Sequence, residues 1–181
     1  MSQSNASFSK LLEYEELALS FQPGKGSELA GTGEWAGVVF RIGESRLTCG
    51  IDRVHEFIPP PPVTRVPGSK NWILGLSNVR GDLVTVVDLA CYFTGHRSNM
   101  TARTRLLSAT LRGRPVGLMV DEVFGQRNFP QEEADESDPD INDESLEGFI
   151  SRQFRAGKET WQELDLDVLF NTPEFLNGAA N

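Results

Sequence analysis

A set of alternating apolar residues recurs along this chain at a spacing of 69. Ile51-Asp52-Arg53-Val54 is matched by Val120-Asp121-Glu122-Val123, an offset of 69. The same offset sets Phe40 on Ala109, Ile42 on Leu111, Leu47 on Val116 and Cys49 on Leu118. A period of two marks a strand with one buried face, and each set flanks turn residues. These are Gly43-Glu44-Ser45 in the first set and Arg112-Gly113-Arg114-Pro115 in the second. Two hairpins are therefore predicted, Trp35 to Ile51 and Arg105 to Val120. A weaker match, offset by 79, sets Val86-Val87-Asp88-Leu89 on Asp165-Leu166-Asp167-Val168, with an acidic insertion in between. The repeat restricts the chain to two small β-units, each built of two hairpins. One core would hold Phe40, Ile42, Leu47 and Ile51, the other Leu111, Val116 and Leu118. A unit of this size buries little apolar surface alone, so a shared interface is expected.

Between the two copies lies the stretch Lys70 to Leu89. Gly75 to Arg80 and Leu83 to Asp88 read as strands, with Gly81-Asp82 as the turn. Val84, Val86 and Val87 suit a largely buried, pleated strand. Asn78 and Arg80 interrupt the apolar pattern just before the turn. Two readings fit them. One is a solvated hairpin end. The other is an arginine held by a carboxylate and presented on a rigid turn for recognition.

The remaining segments are simpler. Ser9 can cap a short helix from Lys10 to Ser20, with Leu11, Leu12, Leu17 and Leu19 as its apolar contacts. Pro23-Gly24-Lys25-Gly26-Ser27 breaks it and Gly31-Thr32-Gly33 continues the link, leaving a frayed arm or one that docks. Val54 to Ile58 reads as a strand after an irregularity at Asp52-Arg53. Pro59 to Pro62 cannot donate ladder hydrogen bonds and is predicted to be a stiff, extended connector. Leu89 to Phe93 reads as a helical turn and Gly95 to Thr101 as a loop. Gln131 to Glu144 is acidic and without apolar period, and reads as a mobile loop with no tightly held metal. A last hairpin pairs Phe149–Phe154 with Trp161–Leu166, and Asp167 is placed to cap a C-terminal helix interrupted near Pro173.

Charge and composition exclude several functions. A net charge of −9 disfavours nucleic acid and anionic membrane alike. No apolar run reaches the roughly 20 residues that a membrane-spanning helix needs, and the N-terminus lacks the basic start and apolar block of a signal peptide. A cytoplasmic protein is expected, and its two cysteines lack a Cys-x-x-Cys partner and read as structural thiols. His55 and His96 have no nucleophile elbow, phosphate loop or zinc-ligand spacing around them. No catalytic residue, cofactor or metal site is predicted. An enzyme would need a pocket of convergent titratable groups, and here they are scattered. That leaves a surface for other proteins.

The stretch Asn78-Val79-Arg80-Gly81, followed by a strand ending in Val87-Asp88-Leu89, resembles the Asn-Leu-Arg-Gly signature of CheW-like domains. The similarity extends upstream through Cys49 to Glu56 and Val63 to Pro67, and downstream through Val116 to Val123. It covers most of the chain from about Trp35 to Phe170. The resemblance implies a mainly β fold of two intertwined, SH3-like, five-stranded barrels, with an N-terminal arm and a C-terminal helix. On that pattern residues 1–34 form an extension and 35–175 the CheW-like domain, with a first barrel near 35–100 and a second near 101–170. It implies a non-catalytic adaptor that couples the cytoplasmic tip of a methyl-accepting chemoreceptor to the regulatory domain of a CheA-type histidine kinase. Val54, Glu56, Gly75, Asn78, Arg80 and Gly81 fall on the contact segments, with Glu56 as the carboxylate partner of Arg80. Leu74 stands where the family commonly has a lysine, so the resemblance does not imply identical receptor contacts. The arm and the acidic insertion resemble the members that serve type IV pilus chemosensory systems and twitching motility. A flagellar coupling protein is the alternative.

Overall fold

The computed structural model describes residues 28–29, 33–135 and 143–178. The arm helix expected at Lys10 to Ser20 and residues 136–142, half of the acidic segment, lie outside the described residues. In chain order the strands begin with β1 (Glu28–Leu29), β2 (Glu34–Ile42) and β3 (Ser45–Gly50). A 3-10 turn at Ile51–Arg53 is the irregularity expected there, and β4 (Glu56–Ile58) follows. Next come β5 (Ile73–Val79), β6 (Asp82–Asp88), the helix α1 (Leu89–Thr94), β7 (Arg105–Leu111) and β8 (Arg114–Val120). The chain closes with β9 (Glu122–Pro130), β10 (Ala134–Asp135), β11 (Ile150–Ala156), β12 (Glu159–Leu164) and the helices α2 (Leu166–Asn171) and α3 (Pro173–Leu176).

The strands form two sheets. One has five strands in the order β4-β7-β8-β6-β5. The other has seven, but β1 and β10 are two residues each, which leaves β9, β2, β3, β12 and β11 as its long members. The repeat is visible in the registers. Phe40 pairs with Leu47 in the first hairpin and Ala109 with Val116 in the third, at the predicted offset. In each sheet a second hairpin then adds in parallel, β12 on β3 and β6 on β8.

The division of the chain differs from two consecutive barrels. The five-stranded sheet takes everything from Glu56 to Val120, and the seven-stranded sheet takes the segments on either side. The cause is the parallel pairing: β3 is completed by the last hairpin, not by the central one. The chain therefore crosses between sheets after β3 and returns at β9, which is the intertwining that the resemblance implied.

This arrangement also moves the core. Phe40, Ile42 and Leu47 do not fill a core separate from Val116 and Leu118; all belong to one cluster shared by both sheets. Ile51 and Leu111 are only partly buried at its edge. Each sheet builds its own interior from residues of the opposite phase: Trp35, Val39, Phe129, Phe154 and Trp161 in one, and Val79, Val84, Val86, Leu106 and Met119 in the other. Strand alternation sends successive side chains to opposite faces. Both faces of β2, β6, β7 and β8 are thus buried.

One cap differs from expectation. Asp165 rather than Asp167 caps α2, its carboxylate accepting from the amides of Asp167 and Val168. Asp88 does the same for α1 and also accepts from the amide and hydroxyl of Ser98. The start of the acidic segment is not a loop: residues 131–133 make a 3-10 turn and β10 pairs with β11.

Cys49 and Cys91 are both free and buried. Burial, with the nearby charges of Glu163 and Asp52, pushes the Cys49 thiol far above its ordinary range. Burial and the charge of Asp88 raise Cys91 as well. Both thiols should resist Ellman's reagent in the native protein and react on unfolding. Because the unfolded thiols ionise above about pH 8.5 and the native ones do not, stability should be full below that pH and decline above it. Reaction of Cys49 in the native protein at rates close to those of the unfolded chain would contradict the burial.

Candidate functional site

The β5–β6 turn is formed by Arg80 and Gly81, one residue earlier than Gly81-Asp82, because Val79 and Asp82 are already a cross-strand pair. A two-residue hairpin turn of this kind needs positive φ at both positions. Arg80 has φ 55 and Gly81 φ 100. Glycine adopts this without penalty, whereas arginine does so at some cost. Asn78 offsets part of that cost: its Oδ1 accepts a 3.0 Å hydrogen bond from the Gly81 amide.

The arginine is anchored by a carboxylate. Arg80 Nη2 lies 2.6 Å from Glu56 Oε2, with the arginine side chain 76% exposed and the glutamate 23%. Glu56 is on β4 and Arg80 directly follows β5, and these strands are the two opposite edges of the five-stranded sheet. The ion pair therefore joins edges that no ladder joins. Beside it the proline connector returns along β5. Thr64 and Leu76 exchange two 2.8 Å backbone hydrogen bonds, and Ser77 Oγ donates to the Pro62 carbonyl at 2.7 Å. The result is a curled sheet whose seam presents a guanidinium.

Gly75 belongs to this seam for a steric reason. Its φ is 142, and a Cβ there would lie 2.1 Å from the Thr64 carbonyl oxygen. Val54 is placed differently from a contact residue: it is buried in the shared core. Of the six residues singled out, Glu56, Asn78, Arg80 and Gly81 meet at the turn, Gly75 supports it from within β5, and Val54 does not join them.

Leu83, the cross-strand partner of Asn78, is a feature the sequence reading missed. It is 66% exposed and stands next to the turn. The signal was present as an apolar residue directly after the turn, but an alternating strand gives no means of telling which face stays open. His55 is also nearby, its Nε2 2.8 Å from Thr110 Oγ1. The polar groups at the seam are paired in a charge-assisted contact, and no group of three or more metal-ligating side chains exists among the described residues. Such a surface can present hydrogen-bond donors and an apolar side chain to a protein. An exposed ion pair of this kind contributes about 0–1 kcal/mol to folding.

Residues 36–174 match the family model of the CheW-like domain. The chain belongs to the CheW-like domain family, whose scaffolding members are non-catalytic. It is 28% identical over 179 residues to Protein PilI of Pseudomonas aeruginosa, covering 99% of both chains. It is 30% identical over 142 residues to a probable chemotaxis protein CheW of Rhizobium etli, covering 76% of this chain and 88% of that one. Among solved structures it is similar to the scaffolding protein TtCheW of Thermoanaerobacter tengcongensis, with a TM-score of 0.65 at 23% identity over 76% of this chain and 93% of that one. The chain is thus a scaffold domain of chemosensory signalling.

Proposed function

We propose that the chain couples a methyl-accepting chemoreceptor to a CheA-type histidine kinase in the cytoplasm, within the array that controls type IV pilus twitching motility. The observation that carries the coupling role is the Arg80–Glu56 seam. It fixes an exposed guanidinium at the rim of a sheet and leaves Leu83 bare beside it. Binding is favoured when the recognition geometry exists before the partner arrives, because less ordering remains to be done. The receptor's cytoplasmic tip and the kinase regulatory domain are the partners this role requires. The pilus assignment is supported by the full-length similarity to PilI, which includes residues preceding the CheW-like domain. The similarity to the probable chemotaxis protein CheW of Rhizobium etli supports a second reading, a chemotaxis coupling protein, with a flagellar pathway as the alternative to the pilus one.

The test is retention of the kinase regulatory domain on an immobilised receptor tip. Retention should require this chain, and failure of the chain to bind either component would overturn the coupling role. Deleting the gene separates the two pathways: loss of twitching with swimming intact is expected, and the converse favours the flagellar reading.

A further inference from the structure

Asn177 and Gly178 directly follow α3 and form the only Asn-Gly pair in the chain. Glycine is needed there for packing, because a Cβ at 178 would lie 2.3 Å from Ile73 Cδ1. The Gly178 carbonyl accepts a 2.9 Å hydrogen bond from the Lys70 amide, just ahead of β5. Three residues earlier Phe175 is buried, stacked on Trp72 at 5.4 Å and edge-on to Tyr92 at 5.2 Å. Phe175 and Gly178 thus clasp α3 to the segment that enters β5.

Asn177 itself is exposed, and its side chain makes no hydrogen bond among the described residues. The Gly178 amide donates none there either. An unhindered amide nitrogen next to an asparagine side chain is the arrangement that closes to a succinimide, and asparagine is a thermolabile residue for that reason. Every other asparagine that has a residue after it precedes one with a side chain, which hinders the attack. In the closed clasp Asn177 has φ −93 and ψ 55. That ψ sets the Gly178 nitrogen on the far side of the Cα–C bond from the asparagine Cβ, so the bond must rotate before attack. Rotation carries the Gly178 carbonyl off the Lys70 amide. Cyclisation therefore requires the clasp to open.

We propose that Asn177 is a self-modification site that makes an opening of this clasp permanent. In the open form the Gly178 nitrogen attacks Asn177 Cγ. The N–Cγ bond forms, the Cγ–Nδ2 bond breaks, and the side-chain nitrogen leaves as ammonia with the proton of the Gly178 amide. Water then opens the ring at either carbonyl, leaving aspartate or isoaspartate at position 177. Isoaspartate routes the main chain through the former side chain, which inserts one methylene and adds a carboxylate. The Gly178 carbonyl then loses its register with Lys70. The proposal does not depend on the receptor–kinase role. To test it, the full-length protein is incubated at mildly alkaline pH and probed with an isoaspartyl methyltransferase, with peptide mass spectrometry locating the product. Isoaspartate is expected at position 177 and should be lost in Asn177→Ser. Phe175→Leu keeps an apolar side chain but removes the ring contacts, and should speed its formation about ten-fold, the change in opening expected for lost aromatic pairs. Leu176→Ala, at a half-buried position of α3, should act in the same direction and serves if Phe175→Leu unfolds. In the modified protein the Lys70 amide should lose its protection from hydrogen exchange while the Leu76 amide keeps its own. No isoaspartate at position 177, rates indifferent to the loosening variants, or retained Lys70 protection after modification would overturn the proposal.

Discussion

Replacing Phe40 by alanine should lower the stability of the native protein by about 3–5 kcal/mol, the range for deleting a fully buried aromatic side chain. Phe40 is 0% exposed and belongs to the cluster that both sheets share. Its strand, β2, pairs with β3 on one side and β9 on the other, opposite Leu47 and Val123. The surrounding strands are held on both flanks and cannot collapse freely into the space left behind. Because the cavity opens between the sheets, both should unfold together. Urea unfolding would then show one transition with an unchanged slope and a midpoint lowered by about 1–5 M, given slopes of about 1–3 kcal/mol per molar. A loss below about 1 kcal/mol, or separate unfolding of the two sheets, would contradict a shared core.

Gly75→Ala should be the most damaging change outside the core, at about 2–4 kcal/mol. Two costs act together. The backbone at φ 142 is one that alanine rarely adopts, and the new Cβ would meet the Thr64 carbonyl oxygen at 2.1 Å. Relief requires the proline connector to move away from β5. That movement breaks the paired hydrogen bonds between Thr64 and Leu76. Hydrogen exchange at the Thr64 and Leu76 amides should therefore accelerate more than global stability alone explains. Unchanged protection there, with stability within about 0.5 kcal/mol of the parent, would show that the connector is not held by this contact.

The residues differ in how much of this was legible beforehand. The first, central and third hairpins were readable, because Phe40, Leu47, Val86 and Val116 alternate in strands short enough for period two to dominate. The order of the strands in space was not. Parallel addition of β12 to β3 joins residues more than a hundred positions apart, and no local pattern records it. β9 escaped notice for another reason: Gln126, Arg127 and Asn128 make it look like loop, yet it pairs along most of β2 with one face open to water. At the site, the Arg80–Glu56 pair was legible through the family resemblance. The support given to Gly75 by Thr64 was not, since it depends on a connector folding back across eleven positions of turn and extended chain. Val54 shows the converse case, a residue two positions before Glu56 whose side chain packs in the shared core and not at the turn.

The central claim is that Arg80 serves recognition and not folding, and its most direct test compares binding with melting temperature in one set of variants. Arg80→Ala removes an exposed ion pair worth about 0–1 kcal/mol, so its melting temperature should fall by no more than about 2–4 °C. Its capture of the receptor tip, the kinase regulatory domain, or both should weaken. Arg80→Lys keeps the charge but loses the planar fork of donors, and should recover binding only in part. Normal binding of both partners by Arg80→Ala would contradict the assignment. A large drop in melting temperature would instead make Arg80 a structural residue of the seam.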